Sequence, residues 1–107
     1  ISYNASTGAV TGVSFTSSSD ERLKSDIATL TNAVKTVENL RGVSYLRENR
    51  PEIGVIAQEV ERVLPMLVHE DPDGYKTVAY GNMVGLLIEA VKELSAEVKA
   101  LKAELNK

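Results

Sequence analysis

The sequence predicts an α+β fold: a small body of short strands and helices followed by a long C-terminal coiled-coil helix. Three observations carry this. Val84, Leu87, Val91, Leu94, Val98, Leu101 and Leu105 are spaced alternately by 3 and 4, which is a heptad seam with valine or leucine at a and leucine at d. Between residues 19 and 81, short strand-patterned and helix-patterned runs alternate, punctuated by Gly, Pro and Asp. Residues 1–18 carry no charged side chain, whereas charges are dense from Asp20 onward. The chain therefore divides into residues 1–18, the end of an upstream β-rich domain, a body over 19–81, and a helix over 82–107. It starts at Ile1 within patterned sequence and reads as a C-terminal piece of a longer polypeptide.

In the lead-in, Val13-Ser14-Phe15-Thr16 alternates as a strand with one buried face does. Ser17-Ser18-Ser19 is a polar break. Thr31 is the expected cap of a short helix carrying Val34, Val37 and Leu40, which Arg41-Gly42 would end. Val43 to Leu46 reads as a strand and Arg47 to Pro51 as a polar loop. Ile53 to Ala57 reads as a strand passing into a helix over Gln58 to Leu64, which Pro65 stops. Met66 to His69 and Tyr75 to Tyr80 flank Glu70-Asp71-Pro72-Asp73-Gly74, whose turn formers predict a β-hairpin. The final seam spans about 30 Å at 1.5 Å per residue, and a lone helix of that length is marginal in water, so its stripe calls for other helices. Glu97 at g and Lys102 at the following e are placed to pair across a parallel interface. The competing reading, a stripe packed on its own body, fits the strict spacing and the Lys/Glu-rich outer faces less well. Valine at a with leucine at d leans towards two strands, so the seam by itself does not specify a trimer.

Composition narrows the function. A net charge of -3 gives no basic field for a phosphate backbone, so nucleic acid is not an expected partner. The longest apolar run, around Met83 to Ile88, is far short of the roughly 20 residues a membrane-spanning helix needs, and no membrane partner is expected. The absence of cysteine excludes disulfides, thiolate metal sites and a cysteine nucleophile, and is compatible with a reducing cytoplasm.

Ser19 and Lys24 are the candidate catalytic pair. A serine hydroxyl needs a base, and a lysine serves when burial or a neighbouring positive charge favours its neutral form. Arg22 is the candidate positive neighbour, and Asp20 the residue placed to cap the following turn or orient the pair. On an ideal helix a five-residue separation turns the two side chains about 140° apart. The segment must therefore turn between them, or one chain's lysine must serve another chain's serine. Spacing alone is a weak signal, since a serine cap beside a solvated charge run has the same pattern. His69, the only histidine, excludes a multi-histidine metal site and reads as a strand residue. Asp71-Pro72-Asp73-Gly74 resembles a calcium loop, but Lys76 stands where that loop needs glycine and Asn82 where it needs glutamate, so it reads as a turn with no metal. Gly54 within an apolar run marks a close backbone approach or a bulge.

Five blocks in order give these residues further meaning: Ser19-Asp20-Glu21-Arg22-Leu23-Lys24-Ser25-Asp26-Ile27, Leu40 to Tyr45, Gly54 to Val60, Asp73 to Val78, and Leu86 to Leu94. Over about residues 19–107 the chain closely resembles the C-terminal intramolecular chaperone domain of bacteriophage endosialidases, tail spikes and tail fibres. The resemblance implies a homotrimer that nucleates association of three β-rich fibre or spike chains, its upstream partner being part of the same chain, and then removes itself by autoproteolysis. It assigns Ser19 as nucleophile, Lys24 as base and Ser18–Ser19 as the bond cut, with no cofactor, in the host cytoplasm during virion assembly and with release from the mature fibre after cleavage. Some relatives also need a histidine; Glu52 stands at that place here, so none is assigned. The different-class alternative is a non-catalytic trimerisation or adaptor module in which the Ser19 motif only caps structure.

Overall fold

The computed structural model describes residues 1–107. From the N-terminus, β1 (Ser2–Asn4) and β2 (Ala9–Thr11) form a hairpin, and residues 12–32 then run as an arm whose one regular element is a 3-10 turn at Glu21–Leu23. The body contains α1 (Ala33–Glu38), the hairpin β3 (Val43–Arg47) and β4 (Arg50–Gly54), α2 (Ala57–Val63), a 3-10 turn at Pro65–Leu67, and the hairpin β5 (Val68–Glu70) and β6 (Lys76–Val78). A 3-10 turn at Tyr80–Asn82 leads into α3 (Met83–Leu105). All three hairpins are separate two-stranded antiparallel ribbons. Mixed short strands and helices with a long final helix match the expected class.

The core is small and built around α3. Ala33 of α1 is buried with Leu86 and Ala90 of α3, and Val34, Val37, Leu40 and Leu64 pack on that cluster. Val60 of α2 and Leu67 are the other buried residues, and Ala79 N–H donates to the Leu67 carbonyl at 2.8 Å, joining β6 to the turn below α2. Only 5 of 107 residues are buried, two of them alanines. A fully buried Val or Leu contributes about 1.5–3 kcal/mol, against about 1–2 kcal/mol of backbone entropy for every residue fixed, so this core alone is thin for a chain of this length. The radius of gyration, 18.0 Å, also exceeds the roughly 13 Å of a compact domain of about 100 residues.

Several expectations shift on contact with the structure. Val13 to Thr16 is not a strand: the lead-in strands are β1 and β2, and residues 13–16 have no partner to complete a ladder. Thr31 does not cap α1. The helix starts one residue later, behind Asn32 in a left-handed conformation (φ 54°) that makes no side-chain cap, and ends before Leu40. Its first amides are capped instead by Glu93 of α3, whose carboxylate accepts from Ala33 N–H at 2.8 Å and Val34 N–H at 3.0 Å. A residue 60 positions away thus replaces a local cap, a substitution no local pattern reveals.

The expected loop Arg47 to Pro51 is instead the tight end of the β3–β4 hairpin. Glu48 (φ 49°) and Asn49 (φ 66°) both take positive φ, as a two-residue type I′ turn requires, and Arg47 pairs with Arg50. Pro51 obscures the strand in the sequence, yet it is tolerated because each strand of a two-stranded ribbon has a free edge. The strand consequently ends at Gly54, and Ala57 belongs to α2. The β5–β6 hairpin forms around the expected turn, with Asp71 Oδ1 accepting from the Asp73 and Tyr75 amides and Gly74 at φ 87°. Its strands are shorter than expected: Met66 and Leu67 lie in the 3-10 turn before β5 and Tyr80 in the one after β6. The Asp71 side chain is therefore engaged in turn formation.

Candidate active site

Ser19 precedes the 3-10 turn and Lys24 closes it. Asp20 (ψ 137°) and Lys24 (ψ 150°) are extended, while Leu23 N–H bonds the Asp20 carbonyl and Lys24 N–H bonds the Glu21 carbonyl, each at 3.0 Å. One tight turn between extended residues removes the angular problem of an ideal helix. The Lys24 side chain folds back across it, and Nζ lies 2.6 Å from Ser19 Oγ and 3.1 Å from the Ser19 carbonyl oxygen, all within one chain. As an ammonium, Nζ donates to both oxygens; as a neutral amine at the same distance, it is placed to accept the hydroxyl proton.

Asp20 shapes the turn. Its Oδ1 accepts from Arg22 N–H at 2.8 Å, and its carboxylate receives Arg22 Nε at 3.0 Å and Nη2 at 2.9 Å. The Arg22 side chain first, and its backbone N–H second, hold the Asp20 carboxyl below its ordinary value, while Asp20 raises Arg22. Arg22, expected as a positive neighbour of Lys24, is thus paired with Asp20. Ser18 and Ser19 lie on exposed chain outside any helix or strand.

The other singled-out residues lie elsewhere. His69 is exposed on β5, and Glu52 on β4 is bonded by Arg47 Nε at 3.0 Å, which holds its carboxyl below the usual value. The seam residues Val84, Leu87, Val91, Leu94, Val98, Leu101 and Leu105 share one face of α3 and are 47–83 % exposed, so their stripe is not packed on the chain's own body. A second stripe, Leu86, Ala90 and Glu93, meets α1 instead and went unread in the sequence because its last member is charged.

Tyr80 was missed as well. Its Oη accepts from Val55 N–H at 3.0 Å, tying the β4–α2 junction to the entrance of α3, and a Cβ built on Gly54 would lie 2.5 Å from that hydroxyl oxygen. The glycine in the apolar run is therefore a close-approach site.

Comparison with known proteins bears on this arrangement. Residues 19–69 match the family described as chaperone of endosialidase. The chain is 42 % identical over 98 residues to long tail fiber protein Gp37 of Enterobacteria phage K3, covering 81 % of this chain and 8 % of that protein. The Gp37 of Enterobacteria phage T2 gives the same identity, with 81 % and 7 % covered, and that of Salmonella phage S16 gives 35 % over 102 residues, with 83 % and 14 % covered. The chain thus spans less than a tenth of the length of the first two relatives. The segment from Ser19 to His69 belongs to the chaperone-of-endosialidase family. More particularly, the chain as a whole is similar to phage long tail fiber proteins, in keeping with the resemblance carried by its five blocks.

Proposed function

We propose that this domain assembles as a homotrimer, brings three upstream tail-fibre chains into register, and then releases itself by cutting its own Ser18–Ser19 bond. The observation that carries the chemistry is the 2.6 Å approach of Lys24 Nζ to Ser19 Oγ within one chain. Neutral Lys24 takes the hydroxyl proton as Oγ attacks the Ser18 carbonyl carbon. The Ser18–Ser19 C–N bond breaks, the proton passes to the departing Ser19 amine, and Ser18 is left esterified on Oγ. Water then hydrolyses the ester, giving a Ser18 carboxylate and a Ser19 with free hydroxyl and amine. The intra-chain pairing favours this route over a serine of one chain acting on another, and the matching family is named as a peptidase family.

The assembly role is supported by the bare heptad stripe and the thin core. A β-rich fibre of high contact order folds slowly and exposes strand edges, so local helical contacts that gather three chains first raise the effective concentration of the rest. Removing the template after folding leaves a fibre held by its unfolding barrier. Assembly and maturation belong to the host cytoplasm in this scheme, and the cut domain leaves the fibre.

Light scattering with denaturing gels tests both halves. Ser19→Ala is expected to remain uncut and trimeric, while the wild-type chain yields fragment 19–107 in a trimer. A monomeric Ser19→Ala chain contradicts the separation of roles, and an uncut wild-type trimer leaves the non-catalytic assembly module.

A further inference from the structure

A lysine acts as a base only when uncharged, and a carboxylate within ~4–6 Å favours its charged form. The stretch around Lys24 is rich in such groups: Asp20, Glu21 and Asp26 lie within five residues of it, and Arg22 is the other cation. No hydrogen bond or ion pair joins this stretch to another element. Asp20, next to Ser19 in the chain, has both oxygens occupied by Arg22: Nε and the backbone N–H on Oδ1, and Nη2 on Oδ2. Lys24 takes part in none of the chain's ion pairs and contacts two uncharged oxygens, both of Ser19. We propose that Arg22 is a positioning residue for the dyad, acting through Asp20: its planar fork holds the Asp20 carboxylate away from the Lys24 amine, so that one acid shapes the turn without pinning the base as an ammonium.

This rests on the reading of Ser19 and Lys24 as a self-cleaving dyad. It explains why a turn capped by an acid carries a guanidinium two residues later: the bidentate fork matches a carboxylate, as the point charge of a lysine does not. Asparagine at position 20 would preserve the cap without the charge.

The test is a double-mutant cycle on the pH dependence of self-cleavage, followed by intact mass from about pH 6 to about pH 10. Arg22→Gln is expected to move the rising limb to higher pH, slowing cleavage about threefold on that limb. In an Asp20→Asn background the same Arg22→Gln change is expected to leave the limb in place. An equal shift in both backgrounds, which is what a direct effect of Arg22 charge on Lys24 gives, overturns the proposal. So does a uniform loss of rate without a shift, the mark of a merely structural role. Ser19→Ala and Lys24→Ala in the same series are expected to stay uncut; cleavage persisting in either, or missing in the wild type, removes the dyad reading itself.

Discussion

The two apolar stripes of α3 have opposite fates. Along one, Leu86 and Ala90 are buried beneath α1, and Glu93 binds the first amides of that helix. Along the other, from Val84 to Leu105, about half or more of each residue is open to solvent. Both stripes have spacings of 3 and 4, so periodicity alone says that a face is apolar and not which molecule covers it. The difference lies in length. The covered stripe stops at Glu93, beside α1, while the bare one continues beyond the reach of the body to the end of the helix. The short stripe serves the chain's own fold, and the long one is the face that the proposed assembly uses.

Substitutions on the two stripes should therefore fail differently. The largest effect is expected from Leu94→Asp on the bare stripe, where a charge left unpaired in an assembled seam costs several kcal/mol. Light scattering should show loss of the oligomer. Leu86→Ala, on the covered stripe, should cost about 2–5 kcal/mol as a cavity beside Ala33, lowering the denaturation midpoint even in the Leu94→Asp background. If Leu86→Ala instead dissociated the oligomer without lowering that midpoint, the assignment of the faces would be reversed.

Gly54→Ala lies on neither stripe but tests the clamp that aims α3. Its new methyl meets the Tyr80 hydroxyl, and about 1–3 kcal/mol of destabilisation is expected in chemical denaturation. The smallest effect concerns Glu93. The Val34 amide first, and the Ala33 amide second, hold its carboxyl below the ordinary value of 4.5. A group whose folded value is depressed stabilises above its unfolded value and loses that contribution as pH falls through the folded one. Glu52 and Glu59, each lowered first by an arginine, share this sign. Thermal melts should thus decline below about pH 4.5, and Glu93→Gln should lower the melting temperature by a few degrees at neutral pH and flatten part of that acid decline.

What the sequence revealed follows from the range of the physics involved. The apolar stripe of α3, the β5–β6 hairpin and the stop at Pro65 depend on near neighbours and were legible. The β3–β4 hairpin was hidden because its turn, Glu48-Asn49, lacks glycine and because Pro51 argues against a strand. The cap of α1 and the Tyr80 contact depend on residues 60 and 25 positions away, beyond any local pattern. At the candidate site, the five-residue spacing of Ser19 and Lys24 was ambiguous until the 3-10 turn between them was seen. The pairing of Arg22 with Asp20 could not be read from order alone.

The most direct test of the account is a time course of intact masses for the purified, folded chain beside Lys24→Ala. The account predicts that the wild-type mass gives way to fragments 1–18 and 19–107 while the variant stays whole. A wild-type chain that remains intact, or a variant cut at the same bond, would contradict it.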